Sequence, residues 1–259
     1  MNLGLRNKSV LVTGGSKGIG LACARAFLAE GAGVGIASRS QANVDRALGA
    51  LGAGAWGRAA DLTDPDQAAR MVADFTDAFD GVDVLVNSAG AARRAPPDEL
   101  TPAHWRAAMD AKYFTTINVI DPVVKRMAAR GSGVIVNVIG NGGKLASSIH
   151  LAGGAANAAL MLATAGLANA YAGRGVRVVG VNPGLTDTDR VGEGLEADAA
   201  AKGITVEEAR AQAVARIPLG RMARPDEIAA MVLFFASNKA GYVTGVTVSM
   251  DGAQAPMVV

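Results

Sequence analysis

The chain has 259 residues, half of them hydrophobic, enough for one large domain or two small ones with a sizeable core. Lys and Arg number 25 against 23 Asp and Glu, a net charge of +2 with no basic run, so neither nucleic acid nor an anionic membrane is an expected partner. The one cysteine, Cys23, forms no intrachain disulfide and fits a reducing, cytoplasmic setting. No secretory leader is expected, no metal site is expected, and no membrane span is expected, on the reading that no uncharged apolar run of about 18 residues occurs.

Short β-branched runs alternate with longer Ala- and Leu-rich segments of helical character. The first strand is expected at 9–14, "SVLVTG", and runs into "TGGSKGIGLACARAF". Gly14, Gly18 and Gly20 permit a tight turn and close backbone approach, with Ser16, Lys17 and Ile19 between them. The helix that follows would point free N–H groups at a pyrophosphate. The competing reading is an ordinary glycine-rich turn.

The second strand, 33–39, ends on Arg39. An acidic residue there suits NAD(H), whereas Arg39 with Lys17 and no acid nearby suits a 2′-phosphate, so NADP(H) is expected over NAD(H). The third strand, 57–62, ends on Asp61 and Leu62. Asp61 could accept from an adenine amino group, or serve as an N-terminal acid of the helix starting at "TDPDQ". The fourth strand, 82–90, closes on Asn87, Ala89 and Gly90.

Three more strands are expected at 133–140, 176–184 and 244–252. Several of the seven are nearly continuous apolar runs, as strands covered on both faces require. The alternation predicts an α/β fold with one doubly wound parallel sheet of about seven strands, helices on both faces, and a single domain over 1–259. The polar segment 186–216 follows a strand's carboxyl end, where ligands bind in such sheets, and is expected to form a mobile substrate lid.

Taken together these motifs resemble the short-chain dehydrogenase/reductase family over nearly the full length. "TGGSKGIG" is similar to its Thr-Gly-x-x-x-Gly-x-Gly motif. "NSAG", Asn87 to Gly90, is similar to its Asn-Asn-Ala-Gly motif. "NPGLTDT" carries Pro183, Gly184, Leu185, Thr186 and Thr188, and resembles its Pro-Gly segment with the threonine that meets the nicotinamide amide. "IPLGRMARPDEIAAMVLFFAS" and "YVTGVTVSMDG" resemble its last helix and strand. The resemblance implies a Rossmann-type domain, NAD(P)(H) at the strand ends, a small-molecule substrate, and a homo-oligomer, tetramer or dimer. It also implies hydride transfer assisted by a tyrosine, lysine, serine and asparagine.

Counting back without gaps from "YAGRGVRVVGVNPG", the tyrosine position falls on Gly153 and the lysine position on Asn157. The serine position falls on Gly140 and, counted from Trp105, the asparagine position on Lys112. No tyrosine lies between Tyr113 and Tyr171, and no lysine between Lys144 and Lys202. Asn157 could still hydrogen-bond ribose hydroxyls. His150 lies three positions before Gly153, on the same face if the first helical turn includes it, and an imidazole titrates near neutral pH. A proton-donating His150 and an idle loop histidine are the two readings.

Asn141 could donate to a substrate oxygen, and Lys112 could project inward or lie on a helix surface. Tyr113 points about 100° away. Lys144, Ser147 and Ser148 read as solvated loop, and His104 as a surface residue in a first helical turn. The alanine-rich helix after Gly153 is expected to pack on the sheet by one face and on a neighbouring subunit by the other.

Three functions follow. The first is NADP(H)-dependent hydride transfer with a non-standard donor, for which the resembled family offers members that reduce conjugated C=C bonds without the usual tyrosine. The second is a non-redox lyase, isomerase or hydrolase on this scaffold. The third is a non-catalytic NADP(H)-binding protein.

Overall fold

The computed structural model of the chain describes residues 2–257, apart from the side chains of Glu193, Ala197 and Ala201. In β1 (Ser9–Thr13) successive side chains leave opposite faces of the backbone. Val10 and Val12 therefore enter one apolar core, and Leu11 enters another on the far side of the sheet. The same division runs through β4 (Val84–Asn87), β5 (Gly133–Val138) and β6 (Val176–Pro183). Val84, Val86, Val136, Val179 and Val181 face the first core; Leu85, Ile135, Val176 and Val178 face the second. With β2 (Gly33–Ser38), β3 (Ala55–Ala59) and β7 (Thr247–Met250) they make a seven-stranded sheet in the order β3-β2-β1-β4-β5-β6-β7. Every pairing is parallel.

Helices cover both faces. α1 (Gly18–Ala29) and α9 (Pro225–Ala236) bring Cys23, Phe27, Ile228 and Val232 to the first core, with α2 (Gln41–Leu51) at its edge through Ala47. α3 (Pro65–Phe79) and α5 (Thr115–Arg130) bring Met71, Phe75, Val119 and Met127 to the second. Phe27 and Phe75 are fully buried, each contributing about 2 kcal/mol of burial. Burial holds the Cys23 thiol far above its ordinary 9.0, at about 12.

The strands are shorter than the sequence reading had them, most of all β7 and β4, the latter spanning Val84–Asn87 rather than 82–90, and two of the differences have a visible cause. β3 begins at Ala55, not at Gly57, because Gly57 lies inside the strand where a Cβ would stand 2.6 Å from Cγ1 of Val44. β7 is confined to Thr247–Met250 between Gly245 and Gly252, both at positive φ.

The membrane expectation rested on the absence of an uncharged run, and α6 (Leu151–Ala172) corrects it. Its 22 residues carry no charge, and an 18-residue window averages a hydropathy of 1.4, enough in length and composition to cross a bilayer. Alanine and glycine hide this run from a reading tuned to Leu, Ile and Val. In the fold the helix packs on β6 and on the turn after β5, burying Ala152, Gly153, Ala156, Asn157, Leu160, Thr164 and Ala168 at helical spacing. The opposite face carries Leu162, 76% exposed.

Segment 186–216 forms α7 (Asp189–Lys202) and α8 (Val206–Val214). They share a small core of Leu195, Ala199, Ala209, Ile217 and Met222. A bridge between Thr186 and Ala223 ties the segment to the sheet side.

Candidate active site

All seven strands end on one edge of the sheet, and the strand order reverses between β1 and β4, the place where open α/β sheets take ligands in a crevice. Gly14 follows β1 at φ +65°, a conformation that side chains resist, and a Cβ there would stand 2.7 Å from the backbone of Ala89 and Ser88. A Cβ on Gly20 would overlap the carbonyl of Gly14. The loop from Gly14 to Gly20 is therefore drawn tightly against the segment after β4. Lys17 is the N-cap of α1, yet no side chain caps the helix and no acid lies in its first turn. Its N–H groups and positive dipole end are left for an anion. The Ser16 hydroxyl donates to Oγ of Ser38 at 3.0 Å, fixing the loop against the end of β2, where Arg39 is exposed like Lys17.

Asp61 is committed locally: one carboxylate oxygen accepts from the amide (3.0 Å) and hydroxyl (2.8 Å) of Thr63. It is not the N-terminal acid of α3, whose N-cap is Asp64, accepting from the amides of Asp66 and Gln67. Leu62 is buried, and its carbonyl accepts from the Asn118 amide at 3.0 Å. On the other side, Thr188 caps the start of α7, and its methyl lies 3.3 Å from the Cβ position of Gly18. Pro183 ends β6, Gly184 and Leu185 follow, and the Thr186 hydroxyl donates to the Gly184 carbonyl.

Beneath the crevice a buried polar chain crosses three strands. Thr13 donates to Asn87 Oδ1 (3.4 Å), the Asn87 amide to Asn137 Oδ1 (2.9 Å), and the Asn137 amide to Thr164 Oγ1 (3.0 Å). Such a satisfied network holds the strand ends rigidly. Of its members the sequence reading had singled out only Asn87.

At the start of α6 the residue spacing produces one clear juxtaposition. His150 is the N-cap, and its ring folds back over Gly153. A Cβ on Gly153 would overlap Cε1 of that ring and stand 2.6 Å from Nε2 and 2.8 Å from Cβ of Ala92. Cδ2 of the same ring stands 3.0 Å from a Cβ position on Gly142. The ring is thus walled by three residues with little or no side chain. Nδ1 of His150 and Oδ1 of Asn157 are buried, without hydrogen-bond partners among the described residues. The Asn157 amide donates to the Gly140 carbonyl at 3.3 Å.

Lys112 occupies a π-helical stretch, Asp110–Phe114, between α4 (Pro102–Met109) and α5. The hydroxyls of Thr115 and Thr116 donate to the carbonyls of Asp110 and Lys112. Such single-turn bulges recur at functional sites because they rotate side chains out of helical register. Lys112 is half-buried beside Gly90, not a surface lysine. Burial, then Arg190, lower it from 10.5 to about 8. The expected near-neutral titration of His150 does not occur. Burial first, then Lys112, Arg94 and Arg190, push it from 6.5 to about 4.

The remaining candidates are engaged elsewhere. The Asn141 amide donates to Asp251 at 2.7 Å, so its donor is not presented to the crevice. Lys144 donates to the Thr247 carbonyl, while Ser147 and Ser148 are exposed. His104 caps α4 through Thr101. Tyr113 sets its ring edge-on to Phe114 at 5.3 Å. Sequence reasoning missed Arg94, Arg190 and Asp251. The Arg-Arg pair after "NSAGAA" was the available signal for the first; the guanidinium of Arg190 reaches the Gly90 carbonyl at 3.2 Å from α7, a contact no periodicity announces.

Comparison with known proteins adds the following. A family described as enoyl-(acyl carrier protein) reductase matches residues 14–253. A cis-4-hydroxycyclohexanecarboxylate dehydrogenase of Sinomonas cyclohexanicum is 36% identical over 245 residues, covering 93% of this chain and 94% of that protein. A 3-oxoacyl-(acyl-carrier-protein) reductase of Vibrio cholerae is 32% identical, covering 96% and 98%. Among solved structures, an actinorhodin polyketide ketoreductase variant crystallised with NADPH superposes with a TM-score of 0.91 at 29% identity, covering 97% of this chain and 98% of that one.

Proposed function

The chain belongs to the short-chain dehydrogenase/reductase family, and on that premise we propose that it is an NADP(H)-dependent oxidoreductase acting on a small molecule through a non-standard proton donor. The observation that carries this reading is the His150 ring seated over Gly153, in the same strand-end crevice as the uncapped N-terminus of α1. The dinucleotide fits the residues present. Gly14 and Gly20 leave a cradle that a Cβ would fill, and the orphaned Oδ1 of Asn157 offers an acceptor for a ribose hydroxyl. When bound, NADP(H) supplies the hydride.

The chain's own residues do the rest. The loop amides from Ser16 to Ile19 receive the pyrophosphate, and Arg39 with Lys17 receives the 2′-phosphate. Asn87, Ala89 and Gly90 line the floor, and Pro183 to Thr188 the nicotinamide side. In the resembled family's terms, Gly153, Asn157, Gly140 and Lys112 stand at the four catalytic positions. His150 then replaces the missing hydroxyl. Its neutral ring offers one N–H and one lone pair to the substrate, and Lys112, protonated below about pH 8, holds the proton in reserve. α7 and α8 act as the lid that excludes water. We further place the protein in the cytoplasm as a single-domain homo-oligomer, with the exposed face of α6 meeting a second copy.

Absorbance at 340 nm with NADPH and a panel of ketones and conjugated enones tests this. His150→Phe is expected to lower turnover by about 10²–10⁴-fold, and Arg39→Ala to weaken NADP⁺ about tenfold while sparing NAD⁺. Unchanged turnover in His150→Phe removes that residue's role. Substrate conversion without an absorbance change removes the oxidoreductase reading in favour of non-redox chemistry.

A further inference from the structure

The turn after β5 lies flush on the first turns of α6. A Cβ on Gly143 would stand 2.7 Å from the amide nitrogen of Ala158, and one on Gly154 2.7 Å from the Gly142 carbonyl. This seating brings Gly142 up to two nitrogen-bearing side chains. A Cβ on Gly142 would stand 3.4 Å from Nδ2 of Asn157, and 3.0 and 3.6 Å from Cδ2 and Nε2 of His150. Those atoms are its nearest neighbours, and Gly142 itself is only half-buried. The space over Gly142 is therefore bordered by the imidazole edge and the carboxamide. Both groups have a hydrogen to give there. The Asn157 amide donates one to the Gly140 carbonyl at 3.3 Å, which also fixes the end of the carboxamide that faces the turn. Its second hydrogen has no acceptor among the described residues. Nδ1 of His150 is buried without a partner among the described residues. A buried N–H left unpaired is rarer and costlier than a bare lone pair, so the neutral ring carries its proton on Nε2. Held at about 4, chiefly by burial, the ring is neutral at pH 7.

We infer that His150 and Asn157 together receive the oxygen of a substrate carbonyl over Gly142, which makes Asn157 a second catalytic residue and a carbonyl compound the substrate. The inference rests on the oxidoreductase reading of the same site and names the substrate class for it. Hydride addition to a carbonyl carbon drives the C=O π pair onto the oxygen. Donors already fixed where that charge develops lower the barrier, because they need no rearrangement during the step. A neutral imidazole can polarise a carbonyl in this way. The carbon gains the hydride, the oxygen gains the pair, and the Nε2 proton passes to the oxygen. A proton from water then restores the ring and leaves hydroxide. The carboxamide keeps its own protons and contributes hydrogen bonding alone. Asn157 also joins the two ligands, since Oδ1 can accept from a ribose hydroxyl while Nδ2 donates to the substrate oxygen.

Calorimetry on the full-length chain first measures NADP⁺ binding. Cyclohexanone, cyclohexenone and acetophenone are then the probes under saturating NADPH, which offsets any loss of the ribose contact. Asn157→Leu, close to the natural side chain in size, is expected to lower kcat on the best probe by about 10²–10³-fold, as removal of one oxyanion donor does. The backbone of Gly142 is not left-handed, so alanine is conformationally allowed there. Gly142→Ala sets a methyl beside both donors and should lower kcat by about 10²-fold, as a misplacement of about 1 Å does, while NADP⁺ binds as in the wild type. A readout independent of turnover is the ring tautomer. His104 and His150 are the only histidines, so long-range nitrogen–proton NMR assigned through His104→Gln should show His150 protonated on Nε2 at pH 7. A proton on Nδ1 overturns the inference, as does unchanged kcat in Asn157→Leu or in Gly142→Ala. NADPH that binds yet reduces none of the three probes overturns it as well. Failure of NADP⁺ to bind overturns the oxidoreductase reading itself, and the inference falls with it.

Discussion

Gly153 is the residue on which the crevice turns, because what it lacks is what His150 uses. A methyl group at this position overlaps the imidazole and presses on Ala92. Gly153→Ala is therefore expected to lower the stability of the chain by about 1–3 kcal/mol in urea titration, despite alanine's better helix propensity. Adding His150→Ala should return part of that loss, since the ring is gone and only the contact with Ala92 remains. Equal costs in the single and double variants would place the ring elsewhere. The three-residue spacing of His150 and Gly153 was legible in the sequence, but the shared face was expected from a first helical turn that includes His150. His150 is instead the N-cap, with non-helical backbone, and its ring reaches Gly153 from there. The electrostatic setting was not legible. Arg94 and Arg190 arrive from an irregular segment and from α7, and they add, after burial and Lys112, to the depression of His150.

At the level of elements, the turn after β5 and the end of β7 are joined by one carboxylate. Asp251 accepts from the Asn141 amide (2.7 Å) and from the backbone amides of Ala253 (3.1 Å) and Ala255 (3.1 Å). Asp251→Ala strands three donors, one of them on the buried Asn141, at a cost of about 2–4 kcal/mol. Hydrogen exchange should show residues 139–145 losing protection together with residues 252–256. Loss confined to the latter would mean that the turn stands without its tether. This link spans 110 positions, and nothing in the local pattern of "GNGGK" or "SMDG" foretells it. The strands themselves were legible because β-branched runs covered on both faces leave little ambiguity. Their ends were less so where glycine sits inside β3, and α6 escaped notice as an uncharged run because its small residues mute the hydropathy signal.

Across the whole molecule, the two depressed bases set how stability follows pH. For His150, held at about 4 against an ordinary 6.5, the unfolded chain binds the extra proton between those values. Stability therefore falls as pH drops from 6.5 toward 4. For Lys112, held at about 8 against 10.5, the unfolded chain again binds more protons in the window. Stability rises from pH 8 to 10.5, and below 8 the buried cation's cost is present in full. Lys112→Met should thus raise the urea midpoint at pH 7 by the equivalent of about 1–3 kcal/mol, a gain that fades above pH 10. His150→Phe should flatten the acid limb. A lower midpoint for Lys112→Met at pH 7 would mean that the lysine is paired rather than poised. One last property of the molecule concerns Cys23. Its thiol is fully enclosed and keeps its proton to about pH 12. The wild-type chain is in effect blank to maleimide dyes at neutral pH, so a single cysteine placed on α7 would carry a lone fluorophore, whose signal on adding NADP⁺ and substrate would report whether that helix moves.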